Sequence, residues 1–336
     1  MFNSASPKQL WVLADLGGTH ARFAVVPGAE TGLQYRLTLK VAEYANFIDA
    51  LDSYRVYLAK QGIDGAIHAL GLAVAAPIGE SQFLQFTNNC WCLDLADLRQ
   101  RYALQHLSVL NDFAALALSV PYLQPGQLRH WPGSPVLSAF RQADRLAVIG
   151  PGTGLGVASL YYHQRQWHAL ASEGGHSTLT PETDLECQLW QVLRRDYPAL
   201  SAETVFAGAG LARLHGALAG LRGKPQIAEM TAAQVLEAAS SDALCAETLD
   251  VYFNWLGSYL GNQILNLGAR QGLFLAGGIL PRCQSALFDS QLYQRLLNKP
   301  AMQAYLANVP VYLLTDTMTA LQGMYQQLLQ SQLTDF

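Results

Sequence analysis

Asn111 and Asp112 stand side by side in residues 107–121 (LSVLNDFAALALSVP), a run that is otherwise apolar. Val109, Leu110, Phe113 and Leu116 predict burial around them, and a buried carboxylate is costly unless something pairs with it. Either a neighbour satisfies Asp112 or a ligand does; as a helix N-cap, it would gain a local partner worth about 1 kcal/mol. A second kind of chemistry sits in three glycine turns: Asp15-Leu16-Gly17-Gly18-Thr19, Gly150-Pro151-Gly152-Thr153-Gly154-Leu155-Gly156 and Ala276-Gly277-Gly278. Successive N–H groups in such turns form a concavity suited to phosphate oxygens, and glycine allows close approach to the backbone. One such turn could simply close a hairpin; three together, two carrying a threonine hydroxyl, point to a phosphate cradle. It is not a Walker loop, because Gly223-Lys224-Pro225 breaks that pattern. Nor is it a dinucleotide fingerprint, because Val157 stands where the third glycine belongs. Asp15 beside the cradle suits Mg²⁺, which favours carboxylate, water and phosphate oxygens; alternatively it caps its own turn.

The elements that must position these residues alternate between strand and helix. Residues 10–16, 21–26 and 35–40 read as strands, and 47–61 as a helix stopped by Gly62. Residues 69–75 (ALGLAVA) are apolar on both faces, as a central strand requires, and Pro77 ends them. A helix over 93–102, a strand over 107–110 and a helix from near Asp112 complete an α/β layer pattern. Residues 121–143, rich in Pro, Gly and Gln, mark a domain boundary. Beyond them a strand at 145–149, the glycine turn at 150–156 and a strand at 157–162 repeat the plan of residues 11–26, which predicts a duplicated core. A long helix is expected over 242–267, ending at Gly268. Its Gly257 and Gly261 form G-x-x-x-G, but Glu247, Asp250, Asn254 and Asn262 exclude a membrane reading. Packing against another helix or a partner subunit is the expectation. Strands at 274–278 and 311–315 precede a terminal helix.

Composition narrows the class. Of 336 residues, 51% are hydrophobic and 14% charged, the balance of a folded chain. A net charge of −4 without a basic stripe argues against nucleic acid. Five cysteines, with Cys90 and Cys92 as C-x-C and the rest scattered, fit neither a disulfide framework nor a metal site. No signal peptide is evident, and no apolar run reaches the roughly 20 residues that span a bilayer. A cytoplasmic protein without membrane partners is expected.

The turns above, together with Leu110-Asn111-Asp112-Phe113, Glu173-Gly174-Gly175-His176 and Ala276-Gly277-Gly278-Ile279, resemble in type and order the motifs of bacterial ATP-dependent glucokinases. The likeness runs from about residue 11 to about 324. It implies a two-domain actin-like ATPase (ribonuclease H-like) α/β fold with a cleft between the domains. A small domain, 1–121 plus 316–336, would hold the first phosphate turn and the catalytic Asp. A large domain, 122–315, would hold the second turn and the sugar and adenosine contacts. By the same resemblance Asp112 is the general base for a hexose C6 hydroxyl, and Asn88, Asn111, Glu173, His176 and Glu203 bind the sugar together with it. Ala14, Asp15, Leu16, Gly17, Gly18, Thr19, Gly152, Thr153, Gly154, Gly277 and Gly278 bind nucleotide, and Asp15 holds Mg²⁺ through water. Glucose or a similar hexose and ATP are the implied partners, and a homodimer the implied assembly. Zinc is not expected, because 177–188 contains Cys187 alone among cysteines and a structural site needs four ligands.

Carboxylates accept from two sugar hydroxyls at once, through charge-assisted bonds, while Asn111 and His176 can donate. Sugar hydroxyls would then be the missing partners of the Asn111-Asp112 pair. Local alternatives stay open for His176, as a satisfied core histidine, and for Glu203, as an ordinary acidic residue in a first helical turn. His20 reads as a surface residue. The chain departs from the family at Ala14 and His20, at Ala207 and Ala209 (Ala-Gly-Ala-Gly for Ser-Gly-Pro-Gly), and at Met318-Thr319-Ala320-Leu321. These lie on the nucleotide side and at the expected hinge. The function implied is glucokinase; a kinase for another hexose and a sugar-binding sensor with little turnover are the alternatives.

Overall fold

The first strand shows how the sequence builds both sides of its sheet. Along β1 (Gln9–Leu16), Leu10, Val12, Ala14 and Leu16 enter one apolar cluster, and Trp11 and Leu13 enter another. That is the period-2 alternation of a strand covered on both faces. The computed structural model describes residues 9–27, 32–76, 78–79, 81–86, 89–137, 144–224, 230–316 and 318–334. The expected strand stop at Pro77 lies outside them.

The chain divides into two units, Met1–Leu123 with Met318–Phe336, and Gln124–Thr317. The first contains β1, β2 (His20–Val26), β3 (Gln34–Lys40), α1 (Phe47–Lys60), β4 (Ala66–Val74), β5 (Phe83–Gln85), β6 (Cys92–Asp94), α2 (Leu95–Tyr102), β7 (His106–Asn111) and α3 (Asp112–Ser119). Its main sheet has the order β3-β2-β1-β4-β7, with β4 parallel to both β1 and β7. Asn46 caps α1 and Asp94 caps α2 through side-chain oxygens that accept N–H bonds of the first turn. One sheet face packs Phe23, Phe47, Tyr54 and Trp91. The other is covered by α3 and by the terminal helix α12 (Thr319–Thr334), through Ala115, Leu321, Met324 and Leu328.

The second unit opens with β8 (Leu128–His130), β9 (Arg145–Pro151), β10 (Leu155–His163) and β11 (Gln166–Ser172). Five helices follow: α4 (Asp184–Leu193), α5 (Ala202–Phe206), α6 (Gly210–Leu221), α7 (Ala232–Ala238) and α8 (Ala243–Leu267). It ends with β12 (Leu273–Leu275), α9 (Gln284–Asp289), α10 (Leu292–Leu296), α11 (Gln303–Leu306) and β13 (Val311–Leu314). The sheet order is β11-β10-β9-β12-β13-β8. Its first five strands repeat the first unit's plan: three antiparallel strands, then two parallel ones. The predicted duplication is therefore present. The G-x-x-x-G of α8 is an intramolecular joint, because a Cβ on Gly257 or Gly261 would lie 2.2 or 2.6 Å from the carbonyl oxygens of Leu292 and Leu296 on α10. Among the described residues no helix is long and apolar enough to cross a membrane.

Candidate active site

In the first unit the candidate residues gather at one edge of the sheet. Register places Leu16 beside Val74 and Val74 beside Asn111, so β1, β4 and β7 end together. The carboxyl ends of parallel strands are where open α/β sheets bind ligands. Gly17 closes the first turn by donating to His20 O (3.0 Å), and Asn89 Nδ2 donates to Gly17 O (3.1 Å). Gly17 and Gly18 are half-buried and Thr19 is exposed. Asp15 shares its sheet face with Trp11 and Leu13, the face that α3 covers. It is buried and paired with Arg22, directly opposite across the hairpin, at 2.8 Å. Burial lifts its carboxyl above the ordinary carboxylate range, and the guanidinium opposes that lift.

Asn111 is the N-cap of α3: its Oδ1 accepts the N–H groups of Phe113 (3.0 Å) and Ala114 (3.2 Å). The cap role considered for Asp112 thus belongs to its neighbour. With Oδ1 turned to the helix, the group Asn111 can offer a sugar hydroxyl is its Nδ2 donor. Asp112 is the first residue of α3, and its Oδ1 accepts from Phe113 N–H at 2.9 Å. The deep burial expected around the pair is corrected. Val109, Leu110, Phe113 and Leu116 are half-buried, as are Asn111 and Asp112, because β7 is the last strand of its sheet and has a neighbour on one side only. Ala114, Ala115, Ala117 and Leu118 supply the buried side of α3. Ala14 and Leu16 are fully buried core residues, and the Leu16 carbonyl accepts from Ala75 N–H. Asn88 and Thr87 lie outside the described residues.

In the second unit the candidates gather around the backbone of Leu155, the first residue of β10. Its N–H donates to Glu203 Oε2 at 2.9 Å. Its carbonyl lies against Gly175, where a Cβ would come within 2.1 Å, so the Glu173-Gly174-Gly175-His176 turn needs glycine there. Glu203 projects from the first turn of α5, whose N-cap is Ser201. His176 stands between two carboxylates: Nδ1 is 3.8 Å from Glu203 Oε1, and Nε2 is 3.9 Å from Glu173 Oε2. These separations exceed a hydrogen bond but let one ligand hydroxyl reach two heads. The side chains of Glu173 and His176 are 62% and 60% exposed and that of Glu203 32%, which excludes the core-histidine alternative.

The second and third glycine turns meet in the same unit. Gly152 N–H donates to Gly154 O (2.7 Å), and Gly208 N–H donates to Gly152 O (2.8 Å). Thr153 and Gly278 are exposed, while Gly152, Gly154 and Gly277 are half-buried. At Gly277 the backbone is left-handed (φ +84°) and a Cβ would lie 2.2 Å from Pro151 O. Three participants were missed in the sequence: Arg22, Asn89 and Gly208. Arg22 had a signal, a lone charge in an apolar strand, set opposite Asp15 by the hairpin register. Gly208 had another. Of the Ala-Gly-Ala-Gly segment, Gly208 makes the hydrogen bond to Gly152 and Gly210 makes a tight approach to Val205 O (2.2 Å from a Cβ), whereas Ala209 is exposed.

Comparison with known proteins shows the family. The glucokinase family model matches residues 12–331. The glucokinase of Chromobacterium violaceum is 39% identical over 316 residues, covering 93% of this chain and 87% of that protein. The crystal structure of a glucokinase from an Antarctic psychrotroph superposes with a TM-score of 0.83 at 35% identity, covering 96% of this chain and 99% of that one. A Balamuthia mandrillaris glucokinase solved with glucose shares the fold at 18% identity, with a TM-score of 0.78 and coverage of 98% and 95%. The chain belongs to the glucokinase family.

Proposed function

We propose that this glucokinase transfers the γ-phosphoryl group of ATP to the C6 hydroxyl of glucose, with Asp112 as general base. What carries the sugar assignment is the convergence of Glu173, His176 and Glu203 beside Leu155. Their spacing suits a ligand with adjacent hydroxyls that donate and accept together. Reading hydroxyls this way discriminates strongly, since an analogue lacking one leaves a polar group unpaired. Asn111 Nδ2 adds a donor, and Asn88 is assigned to the same role.

Phosphoryl transfer asks the protein mainly for alignment and charge stabilisation. The amides of Gly17, Gly18 and Thr19 and those of Gly152, Thr153 and Gly154 are assigned to the phosphates, and Gly277 and Gly278 to the adenosine. Mg²⁺ enters with ATP, and Asp15, a buried carboxylate at the strand end, would hold it through water. The Asp15 Oδ2 is paired with Arg22 at 2.8 Å. Asp112 accepts the hydroxyl proton as the C6 oxygen attacks; in a loose transition state that proton leaves late, so a strong base is not required. The reading includes a cytoplasmic homodimer, which light scattering of the purified protein tests.

The experiment is a coupled assay across a hexose panel with ATP, ADP or polyphosphate as donor. The expected result is turnover with glucose and ATP, with weaker use of mannose and fructose. Strong turnover of another hexose would move the substrate assignment. Glucose binding without phosphorylation from any donor would replace the kinase by a sugar sensor.

A further inference from the structure

The long helix α8 lies outside the catalytic motifs, yet one of its faces holds both segments that carry the sugar-side heads. Tyr252, Trp255 and Tyr259 fall at i, i+3 and i+7, one stripe of the helix. Each extends a polar tip to a backbone carbonyl. Tyr252 Oη donates to Phe206 O (2.8 Å), Trp255 Nε1 to Thr180 O (2.9 Å), and Tyr259 Oη to Gly174 O (3.0 Å). Phe206 ends α5, three residues after Glu203, and Gly174 follows Glu173 directly. The ring of Phe206 is enclosed by the same three side chains, with centroids at 5.6, 6.5 and 5.8 Å. All three aromatics are buried.

Gly174 is the point of finest adjustment. Its carbonyl already accepts Ser177 N–H inside the turn, so Tyr259 supplies a second, external contact. A Cβ here would meet Ser172 Oγ at 3.2 Å, Val157 at 3.2 Å and Gln263 Oε1 at 3.3 Å. Gln263 is one turn beyond Tyr259 on the same helix. The turn is thus seated on β10 below and α8 behind.

Resting on the assignment of Glu173, His176 and Glu203 to the sugar, we propose that Tyr259 is a positioning residue. Together with Tyr252 and Trp255, it fixes the spacing between the Glu173-to-His176 turn and the helix that carries Glu203. The 3.8 Å separation of His176 from Glu203, which lies between those two segments, is set by this stripe, because rigid aromatic tips with few rotamers hold a distance better than flexible side chains. The substrate itself touches none of the three.

The test is Tyr259→Phe, which keeps the ring and its packing and removes one hydroxyl. The expected result is a KM for glucose raised about three- to tenfold, the scale of one hydrogen bond. KM for ATP and kcat should stay within about twofold, and 2-deoxyglucose should be discriminated less sharply from glucose. Tyr252→Phe, which acts on the Glu203 segment, should shift the same parameters in the same direction. An unchanged KM for glucose in both variants, with wild-type turnover intact, overturns the positioning role alone. So does a parallel rise in both KM values with a fallen melting temperature, the mark of general loosening. Wild-type protein that neither binds nor phosphorylates glucose overturns the site assignment beneath it. Should Tyr259→Phe fail to fold, Tyr252→Phe decides by the same criteria.

Discussion

The two glycine hairpins occupy equivalent places in sheets of the same order, and they solve the same steric problem with different chemistry. In the first, the last pairs before the turn are Asp15 opposite Arg22 and Leu16 opposite Ala21. In the second they are Gly150 opposite Gly156 and Pro151 opposite Leu155. Where one hairpin keeps a buried ion pair, the other keeps two glycines. The reason is a neighbour: a Cβ on Gly150 would lie 2.3 Å from the carbonyl of Ala276, so the end of β12 presses on that strand. The first hairpin carries charge and is braced by a side-chain amide, that of Asn89. The second is backbone throughout and is braced by the carboxylate of Glu203, which also faces His176. Duplication has thus left one turn beside an ion-paired carboxylate and the other joined to Glu203.

The largest effect should come from removing the proposed general base, which lies in the first unit. Asp112→Asn preserves size and the N1 position of α3, and the cap on Asn111 is untouched. It should lower kcat by about two to four orders of magnitude, the usual contribution of a general base, while glucose still raises the melting temperature. Retained turnover would remove Asp112 as base.

A smaller effect separates the glycines of the two hairpin regions. Gly277→Ala puts a side chain on a left-handed residue against Pro151 O. A loss of about 1–3 kcal/mol is expected, with a raised KM for ATP. Gly17→Ala meets only His20 O at 3.4 Å, with no positive φ, and its stability should stay within about 0.5 kcal/mol. Urea unfolding of both variants makes the comparison. Equal losses would mean that the third turn, packed on Pro151, is no tighter than the first.

What could be read from sequence follows where information is local. The long helix expected over 242–267 is observed as Ala243–Leu267, since Asp242 caps it and Gly268 ends it at φ +63°. The strands β1, β2 and β9 fall close to their expected places because their apolar runs are continuous. The short elements β5, β6, β8 and α9 to α11 carried no usable period, and the helix expected over 93–102 begins as the strand β6. That β7 is an edge strand depends on sheet order, which no single segment encodes, so the burial of Asn111 and Asp112 was overstated. In the site, each glycine turn was visible in itself. That Glu203 reaches Leu155, 48 positions away, was not: the local pattern around it is an ordinary helix start. Tyr259 and Gly174 are farther apart still, at 85 positions, and meet only because β10 and α8 share a core.

The finest comparison is between thiols. Cys90 and Cys92 in the first unit are exposed, as is Cys187 on α4. Cys245 is buried beneath α6, and burial pushes the Cys283 thiol up to about 11. Cys245 is raised for the same cause. Since the thiolate is the reactive form, an aromatic disulfide reagent at neutral pH should label three thiols quickly and two slowly. Both slow thiols belong to the second unit, so their labelling in rising urea follows that unit alone. Glucose, bound to heads braced by the same core, should slow those two. Five fast thiols in the native protein would mean that α8 is not the closed core helix on which Tyr252, Trp255 and Tyr259 depend.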